Sequence, residues 1–452
     1  MFSSNVLRRV KLVTAIIALL LPVSVALAAE KAAMKADDKE TVVIKTGDKG
    51  VPFGPVCMQD AGEYAGPYIF RCNNGRWILP QSDGRGRVWW WNEEPLPPNQ
   101  TITSKMGVMT EVADDRVQVK KNGDEAIDVF IDGKLFTTMH FKKSEPRVYL
   151  YPLIGPTGVG VTRDYIMKDT EIERDNIRQD HPHHRSMWTA FGDVRIKDFD
   201  KPGYNFWSEP GAEKVAGAAA ASQTEGERPK PQLLPKHVVT KINRMVSGPV
   251  FGQIEAEIEW RTPEGVRVLT ETRTYTFFAG DKDERIIDQA NVLKFNDMDV
   301  KFGDTKEGGI LSLRLAVTMD ETGVKKPKEL HGQVVNSEGG VGSKECWGKR
   351  ANWCDYVGPL DGQTVGVAVF DNPKNFRHPT RWHVRYYGLY TANPFGESDF
   401  TEDKSKDGSH MFKKGESVEF NYRVIIHKAD TKAAQIDRQW DLYSSPPEVT
   451  AK

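Results

Sequence analysis

Three of the chain's 10 histidines fall within four positions, in the run Asp180-His181-Pro182-His183-His184-Arg185-Ser186-Met187-Trp188. Imidazoles change charge near neutral pH, so such a cluster can pass protons or ligate a metal. Side chains alternate along an extended segment, which would turn His181 and His183 to one side and His184 to the other. Arg185 beside them can hold a carboxylate or a developing oxyanion. His181, His183, His184 and Arg185 are therefore candidate catalytic residues. If a divalent metal is the cofactor, the three histidines are its candidate ligands; otherwise no cofactor is expected. The plainer alternative is a polar loop whose histidines bond neighbouring backbone.

Further groups add to this chemistry. Glu307, in Asp304-Thr305-Lys306-Glu307-Gly308-Gly309, stands just before a strand, where a carboxylate can act as general base or as a solvated turn charge. His383 and Arg385, in Trp382-His383-Val384-Arg385, alternate with Trp382 and Val384 and so share a face. The segment from Cys346 to Cys354 interleaves Trp347, Lys349, Arg350 and Trp353, a mixture suited to gripping a polar ring. Arg163, Trp188, Trp347, Lys349, Arg350, Trp353, Trp382 and Arg385 are the candidate substrate-binding residues. For any one tryptophan a place in the core is the simpler reading, and Arg163 beside Asp164 reads equally as a structural ion pair.

The elements that must position these groups are strands. Ile127-Asp128-Val129-Phe130-Ile131 turns at Asp132-Gly133 into another apolar run, a strong hairpin signal. Residues 254–260 alternate cleanly, predicting one buried and one wet face, and further strands are predicted over 310–317, 364–370, 380–390 and 418–427. Only 431–443 has a helical pattern. No alternation of strand and helix appears, so the predicted fold is all-β, a large antiparallel β-sandwich over 101–430 with a small N-terminal β module over 41–100. Residues 211–235, rich in Ala, Glu, Lys and Pro, are expected to be a loop insertion, and 431–452 a helix and tail.

Arg8, Arg9 and Lys11 precede an apolar run over 12–27 that closes on Ala26-Leu27-Ala28, the pattern of a signal peptide over 1–28, followed by a charged leader over 29–40. The expected location is periplasmic or extracellular, with no membrane partner once the signal is removed. Export permits disulfides, and Cys57 with Cys72 and Cys346 with Cys354 are spaced for two local bridges. Lys and Arg total 62 against 63 Asp and Glu, so the chain lacks the basic field that nucleic acid requires.

Several motifs in order, namely Arg147-Val148-Tyr149-Leu150-Tyr151-Pro152-Leu153, Asp180 to Arg185, Asp304 to Gly308, Trp347 to Ala351 and Trp382 to Arg385 with Asn393-Pro394-Phe395-Gly396, carry a resemblance. The chain resembles the family of unknown function labelled methane oxygenase PmoA-like, over roughly residues 87–427. The label implies a copper-dependent oxygenase. The family's similarity to secreted proteins that accompany sugar oxidoreductases implies a carbohydrate or other small polar ligand. A looser, fold-level similarity to aldose mutarotase-like supersandwich proteins implies a histidine acid and a glutamate base. On that reading His183 or His184 serves as acid, Glu307 or His383 as base, and Arg185 steadies charge. The alternatives are a histidine-ligated metal hydrolase or oxygenase and a non-catalytic glycan-binding protein.

Overall fold

The computed structural model describes residues 36–59, 68–72, 75, 77–108, 114–175, 179–209, 234–322 and 331–451. The signal peptide and almost all of the expected loop insertion at 211–235 lie outside the described residues.

Two eight-stranded antiparallel sheets pack face to face. One runs in the order Arg381–Val384, Leu389–Asn393, Gly308–Arg314, Met187–Phe191, Tyr149–Leu150, Lys134–His140, Ala126–Ile131, Val117–Lys121. The other runs Lys236–Val246, Phe251–Arg261, Arg267–Phe278, Glu284–Lys294, Ser417–Lys428, Gln363–Asp371, Trp353–Leu360, Gln333–Asn336. Apolar residues on the inner faces, such as Met139, Leu150, Met187, Leu313 and Tyr390 against Ile254, Phe277, Ile287 and Val424, form one continuous core. Both halves of the Asp132-Gly133 turn have positive φ, 49° and 75°, which gives the tight hairpin its right-handed match to the flanking strands. The predicted strand over 380–390 is instead two strands, because Gly388 takes φ 76° and turns the chain back on itself.

The strand Phe251–Arg261 is buried on both faces, unlike its alternating expectation. Its outer face is covered by the N-terminal module: Gln81 bonds the backbone of Val250 and Phe251, and Arg85 forms a bidentate pair with Glu255. That module extends beyond residue 100. Thr101–Val108 joins a five-stranded sheet in which Ala36–Lys45 pairs with Glu448–Ala451, so residues expected to be leader and tail are both strand. The helix expected over 431–443 is Ile436–Ser444, preceded by turns.

The expected disulfides are absent: Cys57, Cys346 and Cys354 carry free thiols. Cys57 lies on Gly54–Met58 and Cys72 on Tyr68–Cys72, strands of different sheets. Cys346 and Cys354 are buried, and the Cys346 thiol points at the carbonyls of Val334 and Gly340. Among the described residues no helix is long and apolar enough to cross a membrane.

Candidate functional site

Cross-strand register assembles the site. Directly opposed residues share a face of a sheet, and His383, Thr391, Ser312, Trp188, Tyr149 and His140 are opposed in succession across six adjacent strands. Their neighbours in sequence, among them Trp382, Val384, Leu313, Met187 and Leu150, point into the core. The row therefore occupies the outer face of its sheet, and the histidine run lies at one end of it, immediately before Met187–Phe191.

The run is a turn and not an extended segment. His181 has φ 44°, and the His184 amide donates to the His181 carbonyl at 2.9 Å. The expected alternation fails for that reason: the rings of His181 and His184 stack at 4.8 Å, 9° from parallel, and His183 meets His184 edge to face at 4.4 Å. Arginines fix the turn. Arg147 donates to the His183 carbonyl, and Arg163 donates to the carbonyls of His181 and His184 and to Asp180. Arg314 bridges Asp180 and Nδ1 of His184, at 3.0 and 2.9 Å. The Asp180 carboxyl is pushed up by burial, but His181 and the guanidiniums of Arg314 and Arg163 outweigh this and hold it well below the usual carboxylate range.

Two groups of sequence-predicted residues converge through Trp207. Its ring packs against His183 at 6.0 Å, His184 at 5.6 Å and Trp188 at 5.5 Å, and against His383 at 6.4 Å. His383 has both ring nitrogens engaged, one by the Lys306 carbonyl at 2.8 Å and the other by Nε of Arg385 at 3.2 Å. The guanidinium of Arg385 lies 4.0 Å above the Trp347 ring, and Trp347 in turn meets His383 edge to face. Tyr387 completes the partly exposed border, stacking on His181 and lying under Arg314. Burial raises the Tyr387 hydroxyl, Arg314 and Arg385 draw it down, and Asp180 and Glu307 push it up, so it stands within the field of all four charges. Glu307 pairs with Lys306 at 3.1 Å and is 40% exposed.

Burial favours the neutral form of His183, His184 and His383. Desolvation, reinforced by Arg147, pushes His183 down to about 2; desolvation, reinforced by Arg385, pushes His383 down to about 3; in His184, wholly enclosed, desolvation and the neighbouring His183 act in the same direction. Nδ1 of His184 must accept, because a guanidinium can only donate, so Nε2 carries the proton. That Nε2–H bonds no described residue. Nδ1 of His183 and the indole N–H groups of Trp188 and Trp207 are buried without a partner among the described residues.

Some expected roles do not survive this geometry. Arg185 is a buried clamp, bidentate to Glu209 with both bonds at 3.1 Å. Trp382 is a core residue whose indole N–H donates to the Ala351 carbonyl. Trp353 is buried in a separate cluster with Phe251, Phe278 and Phe370. Arg350 is held at the surface by the carbonyls of Arg377 and Pro379, and Lys349 is exposed beside it. The three histidines do not form a metal set: two rings are stacked, Nδ1 of His184 is taken by Arg314, and guanidiniums surround them. Among the described residues no group of three or more His, Cys, Asp or Glu side chains converges to hold a metal. Arg314, Tyr387 and Trp207 escaped sequence reading as site residues. The one usable signal was Arg314 itself, a charge within the apolar strand Gly308–Arg314. Two crevices of about 420 and 340 Å³ lie elsewhere, one beside Lys45 and Asp441, the other beside His331 and Thr431.

Fold and site together define an all-β sandwich with a histidine- and arginine-built site on the outer face of one sheet. The chain belongs to a family of unknown function (DUF6807), whose pattern matches residues 126–441. The match extends to membership and attaches neither an activity nor the methane-oxygenase label. The chain is similar to a solved protein in the glycosyl hydrolase family 38 from Enterococcus faecalis, at 8% identity and a TM-score of 0.34, over 92% of this chain and 48% of that one. It spans about half the length of that protein, and so weak a likeness carries no argument. No curated protein matches the chain.

Proposed function

We propose that this is an exported protein that processes a sugar or a similar small polyhydroxy ligand by proton transfer on the outer face of the sandwich. Export rests on the basic, apolar and small-residue pattern of residues 1–28. The ligand class rests on one observation: His183 and Trp188 both pack against Trp207, and each of the three carries a buried ring nitrogen with no partner among the described residues. Buried polar groups are nearly always satisfied, so a cluster of unsatisfied ones calls for a polar molecule. Aromatic walls with a few fixed donors suit a ring bearing hydroxyls.

With their pKa values lowered by burial, His183 and His184 are assigned here as neutral hydrogen-bonding groups and not as imidazolium acids. His184 offers its Nε2–H and His183 its free Nδ1 as fixed hydrogen-bonding groups, while His383, with both nitrogens engaged, holds Arg385 in place. Glu307 is the base in this scheme. Its carboxylate takes a proton from the ligand, the charge left behind is met by the His184 donor and by Arg385, and the same carboxyl returns the proton.

The test is proton NMR of aldoses, uronic acids and glycosides incubated in deuterated buffer with the protein lacking residues 1–28. Accelerated anomeric exchange, solvent deuterium uptake or product formation is expected, reduced about a hundredfold or more by Glu307→Gln. Binding without turnover in either form would establish a glycan-binding protein instead.

A further inference from the structure

We infer that the ligand carries a carboxylate, held end-on by the two terminal nitrogens of Arg385, so that the site takes an acidic sugar in preference to its neutral counterpart. This rests on the sugar-processing reading above and names its substrate class.

Four other arginines build the site, and each already has an acid. Arg163 and Arg314 share Asp180, and Arg147 and Arg185 share Glu209. Arg385 differs: it forms no ion pair among the described residues, and the one hydrogen bond of its side chain there runs from Nε to His383. That bond blocks the side-on approach to the guanidinium. The outer edge, Nη1 and Nη2, remains for a planar anion, the geometry in which arginine binds carboxylates with two parallel hydrogen bonds. Trp347 beneath the guanidinium and His383 at its flank fix the plane of the fork, which makes both positioning residues. The neighbouring Lys306 and Glu307 pair with each other at 3.1 Å, so among the described residues no carboxylate is paired with Arg385. One negative charge on the ligand would pair with it. The Tyr387 hydroxyl feels the charges of both Arg385 and Glu307, and it and Glu307 can engage ring hydroxyls.

The test is isothermal titration calorimetry of the protein lacking residues 1–28 with D-glucuronate and D-galacturonate, each against its parent aldose, and with digalacturonate. The uronates are expected to bind at least about tenfold more tightly than the aldoses. Arg385→Gln is expected to bring that ratio near one, and Arg385→Lys, which keeps the charge without the fork, to leave it intermediate. Should Arg385→Gln fail to fold, the lysine variant decides. Tighter binding of digalacturonate than of the monomer would assign the carboxylate to the end of a polyuronide; the reverse order would assign it to a free acid. Aldoses bound as tightly as uronates, or a preference that survives both substitutions, would overturn the inference while leaving the sugar reading in place. Failure of every sugar to bind would overturn both.

Discussion

Arg314 donates from its guanidinium to Nδ1 of His184 at 2.9 Å, and this single contact fixes which face of the imidazole chemistry can use. The same arginine reaches Asp180, so carboxylate, guanidinium and imidazole form one relay in which only the last member has a free valence. The tautomer of His184 is built into the sheet.

Removing Arg314 should therefore act on function and stability together. With Arg314→Gln, Asp180 keeps Arg163 and His181, and breaking a partly buried pair of this kind costs less than the about 3–5 kcal/mol of a fully buried one. The expected result is a lower urea midpoint and, in nitrogen-15 NMR of His184, a mixture of tautomers in place of a single Nε2–H form. An unchanged tautomer would refute the relay.

Acid should weaken the fold beginning near pH 6.5. A histidine held at about 2 or about 3 in the native protein, as His183 and His383 are, stays neutral while the unfolded chain takes up the proton. Its contribution is complete above the unfolded value of about 6.5 and is lost as pH falls toward the folded one, at about 1.4 kcal/mol per pH unit for each. Urea midpoints should be flat between pH 8 and 7, fall from 6 to 4.5, and fall less steeply in His383→Gln. A flat profile through pH 4.5 would show that these rings are not buried as described.

The tryptophans should separate by role. Trp353→Ala is expected to cost about 3–5 kcal/mol of stability by opening the core without touching ligand affinity. Trp347→Ala should leave stability within about 1.5 kcal/mol of the wild type and weaken acidic ligands about tenfold by freeing Arg385. Affinity lost on replacing Trp353 would place the site elsewhere.

Much of the fold was legible because its signals are local. The Asp132-Gly133 hairpin and the apolar runs of the main sheets need only neighbouring residues to be read. The site was less so. The histidine run was visible from density alone, but its turn depends on Arg147, Arg163 and Arg314, which arrive from three other parts of the chain. Trp382 and His383, adjacent in sequence, have opposite fates because strand alternation sends one to the core and the other to the outer face; Trp353, on an equally promising segment, begins a strand and packs beside the C-terminal helix. Nothing local distinguishes these tryptophans.

The interior of the sandwich contains a wholly buried ion pair, Glu271 with Arg273, completed by Trp260 and Asn291. Arg273→Met should destabilise by about 3–5 kcal/mol, whereas Arg273→Met with Glu271→Leu should recover most of that loss. Denaturant unfolding of the two variants checks this, and a double variant no better than the single would mean that the polar network as a whole, and not the stranded charge, sets the cost.

The pairing of Ala36–Lys45 with Glu448–Ala451 has a consequence for the order of folding. Lys45 and Glu448, joined at 2.9 Å, are 403 positions apart, so the small sheet lacks an edge partner until residues 448–451 are in place. Closing so large a loop is slow. The two big sheets draw on intervening residues and can assemble without that pairing, which makes completion of the small sheet the step that depends most on long-range closure.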